Sequence, residues 1–491
     1  MKLRHLLADL PHQILQGDDA TEICDIVYDT RKIVPGCVFV CIVGTQRDSH
    51  DLALQAVELG ACALIIDHEI EMPEQNITVV QVEFTRLAMA KMSAIFFDNP
   101  AKKMTVIGVT GTKGKTTTTH MIKAVLEQVG RKVGLIGTNG ILIGEKQIPT
   151  INTTPESYQL QKSFREMLEA GCDTVLMEVS SQGLMMERVG GILFDIGVFT
   201  NISPDHIGPG EHKDFEEYLF YKSRLFQRCK IGIVNIDDSH TPQLLQEHTC
   251  QLVTFGMKNV ADYSTCSYEL LRSASFLGIE FALTQPEHRK IQVNMPGKFS
   301  VYNALAAIAV ARSLDISWQE IETALKSVSV KGRVEVVPIS KDFTILIDYA
   351  HNELSMESLL QTLKEYNPNR LVCIFGCGGN RSKLRRYAMG ECAAKMADFT
   401  ILTEDNNRFE KVEDIIADIK QGMKKGNAQA KYIEIPDRLD AIHYAIDHAQ
   451  KGDLIALIGK GHETYRDRMG EKTPFLEREL IEKYAKQKLL R

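Results

Sequence analysis

Short apolar runs that end in glycine or in a polar cluster, each followed by a stretch of helical spacing, recur along most of this chain. The first of them, GCVFVCIVG and CALIID, flank the helical pattern HDLALQAVELGA and predict a small α/β unit that closes near FFDNPAKKM. At Met104 the pattern changes, because the strand-like MTVIGV leads through a Gly/Thr loop into KTTTTHMIKAVLEQVG. In that segment Ile122, Val125, Leu126 and Val129 share one helical face, and Gly130 is placed to cap the C-terminus. The alternation continues through CDTVLMEVSS, DIGVFTN and IGIVNIDD, which predicts a parallel sheet wrapped by helices. After VKGRVEVV (residues 330–337) it restarts with TILIDYAH, LVCIFGCGG, FTILTEDNN and DLIALIGKGHE. Four apolar runs with polar, Gly-rich ends predict a second doubly wound sheet, whose ligands sit at the carboxyl ends of the strands.

Length turns these patterns into a domain count. At 491 residues the chain exceeds one core, and ordinary domain sizes suggest about three. Hydrophobic content of 44% and charged content of 25% are those of a globular protein. A net charge of −7 without a long basic run argues against a nucleic-acid partner. No segment offers the ~18 uninterrupted apolar residues of a membrane span, and the N-terminus lacks a signal-peptide core, so a cytoplasmic protein without a membrane partner is expected. The eleven cysteines lie mostly inside apolar runs and none forms a CxxC pair, which reads as buried, reduced thiols.

The first candidate chemistry lies at GVTGTKGKTTTTH, residues 108–120. Backbone N–H groups freed by Gly111 and Gly114 can wrap phosphate oxygens, Lys115 supplies a cation, and Thr116 can ligate Mg²⁺. The general phosphate-loop pattern wants a glycine where Val109 stands, with Gly108 one residue early. Singly, Glu178 in LMEVSS and His206 in FTNISPDH read as structural polar groups. Together at strand ends of one sheet they read as a metal–phosphate site.

Taken in order, TGTKGKTTT, MEVSS, FTN…DH, GKF…YNALAA, GR…E, DYAH and GKGHETY resemble the Mur ligase family of ATP-dependent amide-bond-forming enzymes. DTRKIVPGCVFVCIVG…DSH, GCGGNR and DNNR resemble its members that add a diamino acid. The resemblance implies an α/β fold of three domains: a small N-terminal α/β domain (1–100) gripping the UDP-bearing substrate, a central P-loop ATPase with a mainly parallel sheet (101–331), and a C-terminal doubly wound, Rossmann-like domain (332–491) that closes with the amino acid. It implies a monomeric peptidoglycan-building enzyme using ATP and Mg²⁺. ATP would phosphorylate the D-Glu carboxylate of UDP-MurNAc-L-Ala-D-Glu, and the amine of a free diamino acid would attack the acyl phosphate.

Site residues follow from the same resemblance. Gly111, Thr112, Lys113, Gly114, Lys115, Thr116 and Thr117 would hold ATP, with Asn303, Arg333, Asp348 and His351. Lys115, Glu178, His206 and Lys222 would be catalytic, and Thr116, Glu178, His206 and Lys222, the last as a carbamate, would hold metal. Thr30, Asn152, Thr153, Thr154, Ser180 and Arg188 would meet the muramyl-peptide substrate. Arg381, Asp405, Asn406, Asn407, Arg408, Gly459 and Glu463 would read the amino acid. Family members that add meso-diaminopimelate carry D-N-P-R in place of residues 405–408. Here the carboxylate-reading Arg408 is kept and Asn407 replaces the proline, so diaminopimelate is favoured and L-lysine remains possible. Lys113, Gln182 and Met186 also depart from the family pattern. Two rivals are another ligase of the superfamily, such as folylpolyglutamate synthetase, and a non-catalytic ligand-binding descendant.

Overall fold

The computed structural model describes residues 1–44, 47–208, 210–273 and 276–489. Two compact units emerge, one built from residues 1–263 and 305–320, the other from 264–304 and 321–491.

The first unit carries two sheets. Strands β1 (His12–Gln16), β2 (Ile26–Val27), β3 (Val38–Val40), β4 (Ala63–Ile66) and β5 (Thr78–Val82) pair in the order β1-β5-β4-β3-β2. All neighbours are parallel except β1 with β5. The larger sheet uses β6 (Thr105–Thr110), β7 (Val133–Gly137), β8 (Gly140–Ile143), β9 (Lys146–Ile148), β10 (Thr174–Glu178), β11 (Phe194–Phe199), β12 (Cys229–Asn235), β13 (Gln251–Gly256) and β14 (Tyr263–Ser264). Its order is β14-β13-β12-β11-β6-β10-β7-β8-β9. The six central strands are parallel, so β6 has β10 and β11 as flanks and the strand ends carrying residues 111–116, 178 and 200–206 share one edge. Both faces of β6 are buried, as its unbroken apolar sequence requires. Gly108 belongs to this strand and packs against the Phe194 ring, so it is a packing residue and not part of the loop.

In the second unit β15 (Tyr268–Arg272), β16 (Leu277–Leu283) and β17 (Arg289–Val293) form an antiparallel sheet. Strands β18 (Glu335–Val337), β19 (Thr344–Asp348), β20 (Arg370–Phe375), β21 (Phe399–Leu402), β22 (Tyr432–Glu434) and β23 (Asp453–Ile458) pair in the order β18-β19-β23-β20-β21-β22. β19, β23, β20, β21 and β22 run parallel. Because the chain's last long strand, β23, inserts between β19 and β20, the loops after residues 348, 375, 402 and 458 open on one edge. A hairpin of β24 (Tyr465–Arg468) and β25 (Glu471–Pro474) follows. Among the described residues, no helix is long and apolar enough to cross a membrane. Eight of the eleven cysteines are buried and all are unpaired, as their apolar surroundings suggested.

Candidate functional site

The phosphate loop is built as a strand, a tight turn and the N-terminus of helix Lys115–Gln128. Ile122, Val125 and Leu126 are buried on that helix, and Gly130 follows its end with φ +82°. Gly111 sits at φ +146°, where a side chain would collide with the Thr200 hydroxyl, so glycine is required by both backbone and space. Thr200 Oγ1 donates to the Lys113 carbonyl at 2.7 Å, and Asn201 both donates to that carbonyl (3.0 Å) and accepts the Lys113 N–H (3.0 Å). The loop is therefore held from β11, and the exposed Lys113 side chain takes no part in holding it.

Four of the expected residues converge here. Lys115 Nζ donates to the carbonyls of Gly111 (2.7 Å) and Thr112 (3.0 Å). Buried Glu178 accepts from Thr116 Oγ1 at 2.9 Å and from the backbone and hydroxyl of Thr138, both at 3.1 Å. Lys222, on helix Phe215–Ser223, donates to the same Gly111 carbonyl at 3.2 Å and lies 4.5 Å from the Tyr218 ring centroid. Burial, and next the positive charge of Lys115, push the Lys222 amine well below its ordinary range. An amine shifted this way gives up its proton more readily than an exposed lysine. His206 makes no hydrogen bond to this group: it is half exposed at φ +54°, with Nδ1 3.0 Å from Glu211. The residues between it and helix Phe215–Ser223 include Pro209, which lies outside the described residues.

The residues expected to meet the muramyl-peptide divide into two groups. Thr154 Oγ1 donates to the Glu178 carbonyl (2.9 Å) and lies 3.1 Å from Ser180 Oγ, while Arg188 donates to the Thr154 carbonyl (3.1 Å) and to Glu156 (2.9 Å). Thr153 reaches Thr138 Oγ1 at 3.3 Å, so this cluster is continuous with the Glu178 site. Asn152 precedes it in the chain, partly exposed. Thr30 stands apart, opening a short turn at the carboxyl end of β2. Gln182 donates to the Gly210 carbonyl at 3.4 Å, and Met186 closes helix Ser181–Met185.

In the second unit a cavity of about 330 Å³ is lined by Tyr349, His351, residues 376–378, Arg381, Arg385, Asp405, Asn406, Arg408, Gly459 and Glu463. Every residue expected to read the amino acid lines it except Asn407, which is buried behind. Arg408 donates to the Gly379 carbonyl at 2.6 Å. Among the described residues Arg381, Arg385 and Arg408 have no carboxylate partner, so three guanidinium groups face one cavity uncompensated. In the same lining, Glu463 Oε2 accepts from Asn406 (2.8 Å) and from buried Lys460 (3.1 Å), and Asp405 Oδ1 accepts the Asn406 N–H (2.6 Å). Gly459 sits at φ +118° against Asp405, where any side chain would strike the carboxylate.

What holds this loop was not visible as a motif. Glu404, 2% exposed, accepts from Asn407 Nδ2 at 3.2 Å, from Arg468 Nε at 2.7 Å and Nη2, and from Arg466 at 3.4 Å. Asn407 therefore ties its loop to a buried carboxylate where a proline would have stiffened it. Arg385 was also missed: it lies in the first turn of helix Lys383–Met396, just after the loop that carries Arg381. Lys460 lay unassigned within the quoted GKGHE.

The expected nucleotide residues of this unit also take defined positions. Asp348 is buried at the end of β19 and accepts from the backbones of Val334 (2.8 Å) and Ala350 (2.7 Å), and burial raises its pKa against the opposing pull of Arg333. Arg333 lies 5.2 Å from the Tyr349 ring, and His351 and His462 flank that ring at 4.8 and 4.5 Å. Burial, then the Arg333 charge, lower His462 to about 4, so it is neutral near pH 7. Asn303 is buried in helix Lys298–Ser313.

Comparison with known proteins agrees with this layout. Residues 109–311 match the Mur ligase middle domain, and residues 332–461 match the Mur ligase glutamate ligase domain. A protein of Caldanaerobacter subterraneus named UDP-N-acetylmuramoyl-L-alanyl-D-glutamate--2,6-diaminopimelate ligase is 44% identical over 98% of each chain. One of two such ligases of Clostridium acetobutylicum is 41% identical over 99% of this chain and 100% of its own. A solved structure of a ligase of the same name superposes with a TM-score of 0.73 at 27% identity, covering 100% of this chain and 99% of that one. Motif order, sheet topology and full-length similarity lead to one conclusion: this chain belongs to the Mur ligase family.

Proposed function

We propose that the chain is an ADP-forming ligase that joins meso-diaminopimelate to the D-Glu carboxylate of UDP-MurNAc-L-Ala-D-Glu in peptidoglycan synthesis. The observation that carries the choice of amino acid is that three guanidinium groups without carboxylate partners among the described residues line one cavity together with Asp405 and Glu463. That division of charge suits an amino acid with carboxylates and ammonium groups at both ends. The far end of lysine is a bare ammonium, which the guanidinium wall would repel. The names of the relatives point the same way.

A carboxylate is a poor electrophile, so the γ-phosphoryl group of ATP must first be placed on it. Lys115 would neutralise charge on that group during transfer, a problem of positioning and electrostatics. The oxygen donors Thr116 and Glu178, 2.9 Å apart, suit a hard divalent cation. Mg²⁺ supplies charge neutralisation of the phosphoryl oxygens when bound there, with His206 and the Lys222 carbamate as the remaining donors. Lys222 fits that modification: its neutral amine adds to CO₂, loses one proton and becomes an anion beside Lys115. We assign Asn303, Arg333, Asp348 and His351 to the nucleotide, and Thr30, Asn152, Thr153, Thr154, Ser180 and Arg188 to the UDP-muramyl-dipeptide. The amine of the amino acid then attacks the acyl phosphate, and phosphate leaves. We further propose domain limits of 1–100, 101–331 and 332–491, a monomer, and a cytoplasmic location, where ATP and the nucleotide-linked substrate are found.

The test is ADP release by the purified protein with Mg²⁺ and bicarbonate. Release should require both the muramyl-dipeptide and diaminopimelate and should vanish in Lys115→Ala. Binding of both substrates without turnover would refute the ligase and favour a ligand-binding descendant.

A further inference from the structure

A second cluster of ligating side chains lies far from all of this chemistry in the chain, at the carboxyl edge of the N-terminal sheet. Asp48 and His50 sit on the short turn at Ser49–Leu52, and Asp67 and His68 directly follow β4. The four side chains close a ring. Asp48 Oδ1 is 2.6 Å from His50 Nδ1, and Asp48 Oδ2 is 3.1 Å from His68 Nε2. Asp67 Oδ1 is 3.2 Å from His50 Nε2 and 2.8 Å from His68 Nδ1. The two imidazoles overlap, with centroids 3.7 Å apart and planes tilted by 36°.

The two aspartates are not equivalent. Asp48 faces one nitrogen of each ring, and one ligand atom each from Asp48, His50 and His68 can be chosen within 4.8 Å of one another. Asp67 meets the opposite nitrogen of both rings in two ways: its Oδ1 is hydrogen-bonded to His68 Nδ1, whereas at His50 Nε2 its backbone N–H donates at 3.3 Å; its other oxygen is pinned by the Thr85 hydroxyl (2.9 Å) and N–H (3.2 Å). A carboxylate behind the His68 imidazole, itself fixed by hydrogen bonds, is how ligating histidines are oriented and made more basic in metal sites. His50 is buried while the side chains of Asp48 and His68 are partly exposed, so the cluster has a fixed base and an accessible mouth. Two imidazoles and a carboxylate are the donor set of zinc(II) rather than of Mg²⁺, which wants oxygen.

We propose that Asp48, His50 and His68 form a binding site for zinc(II), with Asp67 as the residue that orients both histidines. The ion would fasten the turn at residues 48–50 to the end of β4, on the sheet edge that also carries Thr30. The proposal does not rest on the ligase reading, since no residue of the phosphate loop or of the amino-acid cavity takes part.

The test is Zn²⁺ titration by calorimetry of chelator-treated full-length protein, with Co²⁺ absorption as an independent readout. Wild type should bind Zn²⁺ and show the visible bands of nitrogen-ligated Co²⁺, and Glu178→Gln, which removes an oxygen donor of the separate Mg²⁺ site, should keep those bands. His68→Ala and Asp48→Asn should lose this binding, and Asp67→Asn should weaken it ~10- to 100-fold without abolishing it. His68 is at the surface, so its variant tests ligation with the fold intact. No Zn²⁺ binding by wild type, or unchanged binding by His68→Ala and Asp48→Asn, would overturn the proposal and leave the four side chains as a hydrogen-bonded cluster.

Discussion

Removing the Arg408 side chain isolates the contact on which amino-acid recognition depends. The loop does not need that side chain to keep its course: the Arg408 N–H donates to the Asp467 carbonyl at 3.1 Å, and its own carbonyl accepts from Met469 at 2.6 Å. The guanidinium spends one hydrogen on Gly379 and has no carboxylate partner among the described residues, which leaves its second edge for a ligand. Breaking a hydrogen-bonded charge pair costs ~2–5 kcal/mol when the partner is left buried. Arg408 is only partly buried, so a value of about 3 kcal/mol is the appropriate end of that range. At ~1.4 kcal/mol per tenfold, Arg408→Ala should raise KM for meso-diaminopimelate about 100-fold. Arg408→Lys should recover part of this, because an ammonium keeps charge but not the two parallel hydrogen bonds. Initial rates of phosphate release at saturating ATP and UDP-muramyl-dipeptide measure it. A KM for diaminopimelate within about twofold of wild type would refute the reasoning, as would an equal rise in KM for ATP.

Three further outcomes follow from local structure. Asn407→Ala should raise the same KM about fivefold, as the loss of one hydrogen bond of ~1 kcal/mol to Glu404 implies, whereas Asn407→Pro should stay within about threefold because ring stiffness replaces that bond; a tenfold rise in the proline variant would contradict this. Lys222 has a folded-state pKa below its ordinary 10.5, so the unfolded chain holds more protons in that window and its contribution to stability rises with pH up to about 10.5. In bicarbonate-free buffer the stabilising effect of Lys222→Met should therefore shrink as pH increases through the window, and a pH-independent difference in thermal midpoint would sink the buried-amine reading. Arg438 and Glu477 are each 1% exposed and 2.6 Å apart, so Arg438→Ala strands a buried carboxylate at a cost of ~3–5 kcal/mol; a melting point unchanged by calorimetry would show that water or another cation replaces it.

Much of the fold was legible because its signals are local. The strand, loop and helix around Lys115 follow from an apolar run, two glycines and a 3.6-residue repeat, and the sequence itself marks the strand that ends on Glu178 and the strand whose following loop carries Arg408. The exceptions are contacts set by sheet order. Glu404 meets Arg466 and Arg468 only because the chain returns through β23 and the following hairpin. Asn407 looked like the loss of a stiffener, and its bond to Glu404 is a long-range consequence that no window of sequence contains. Gly108 looked like a displaced loop glycine, but it serves the contact with Phe194, a residue on the neighbouring strand β11. The ring of Asp48, His50, Asp67 and His68 joins two turns that only the pairing of β3 with β4 brings together.

The central claim is most directly tested by competition. Purified protein with ATP, Mg²⁺, bicarbonate and UDP-MurNAc-L-Ala-D-Glu is given equal concentrations of meso-diaminopimelate, LL-diaminopimelate, lysine and ornithine, and the products are identified by mass. A cavity that reads a far carboxylate through Arg381, Arg385 and Arg408 predicts that the meso-diaminopimelate adduct dominates, with lysine and ornithine adducts at trace level. A predominant lysine adduct would contradict it.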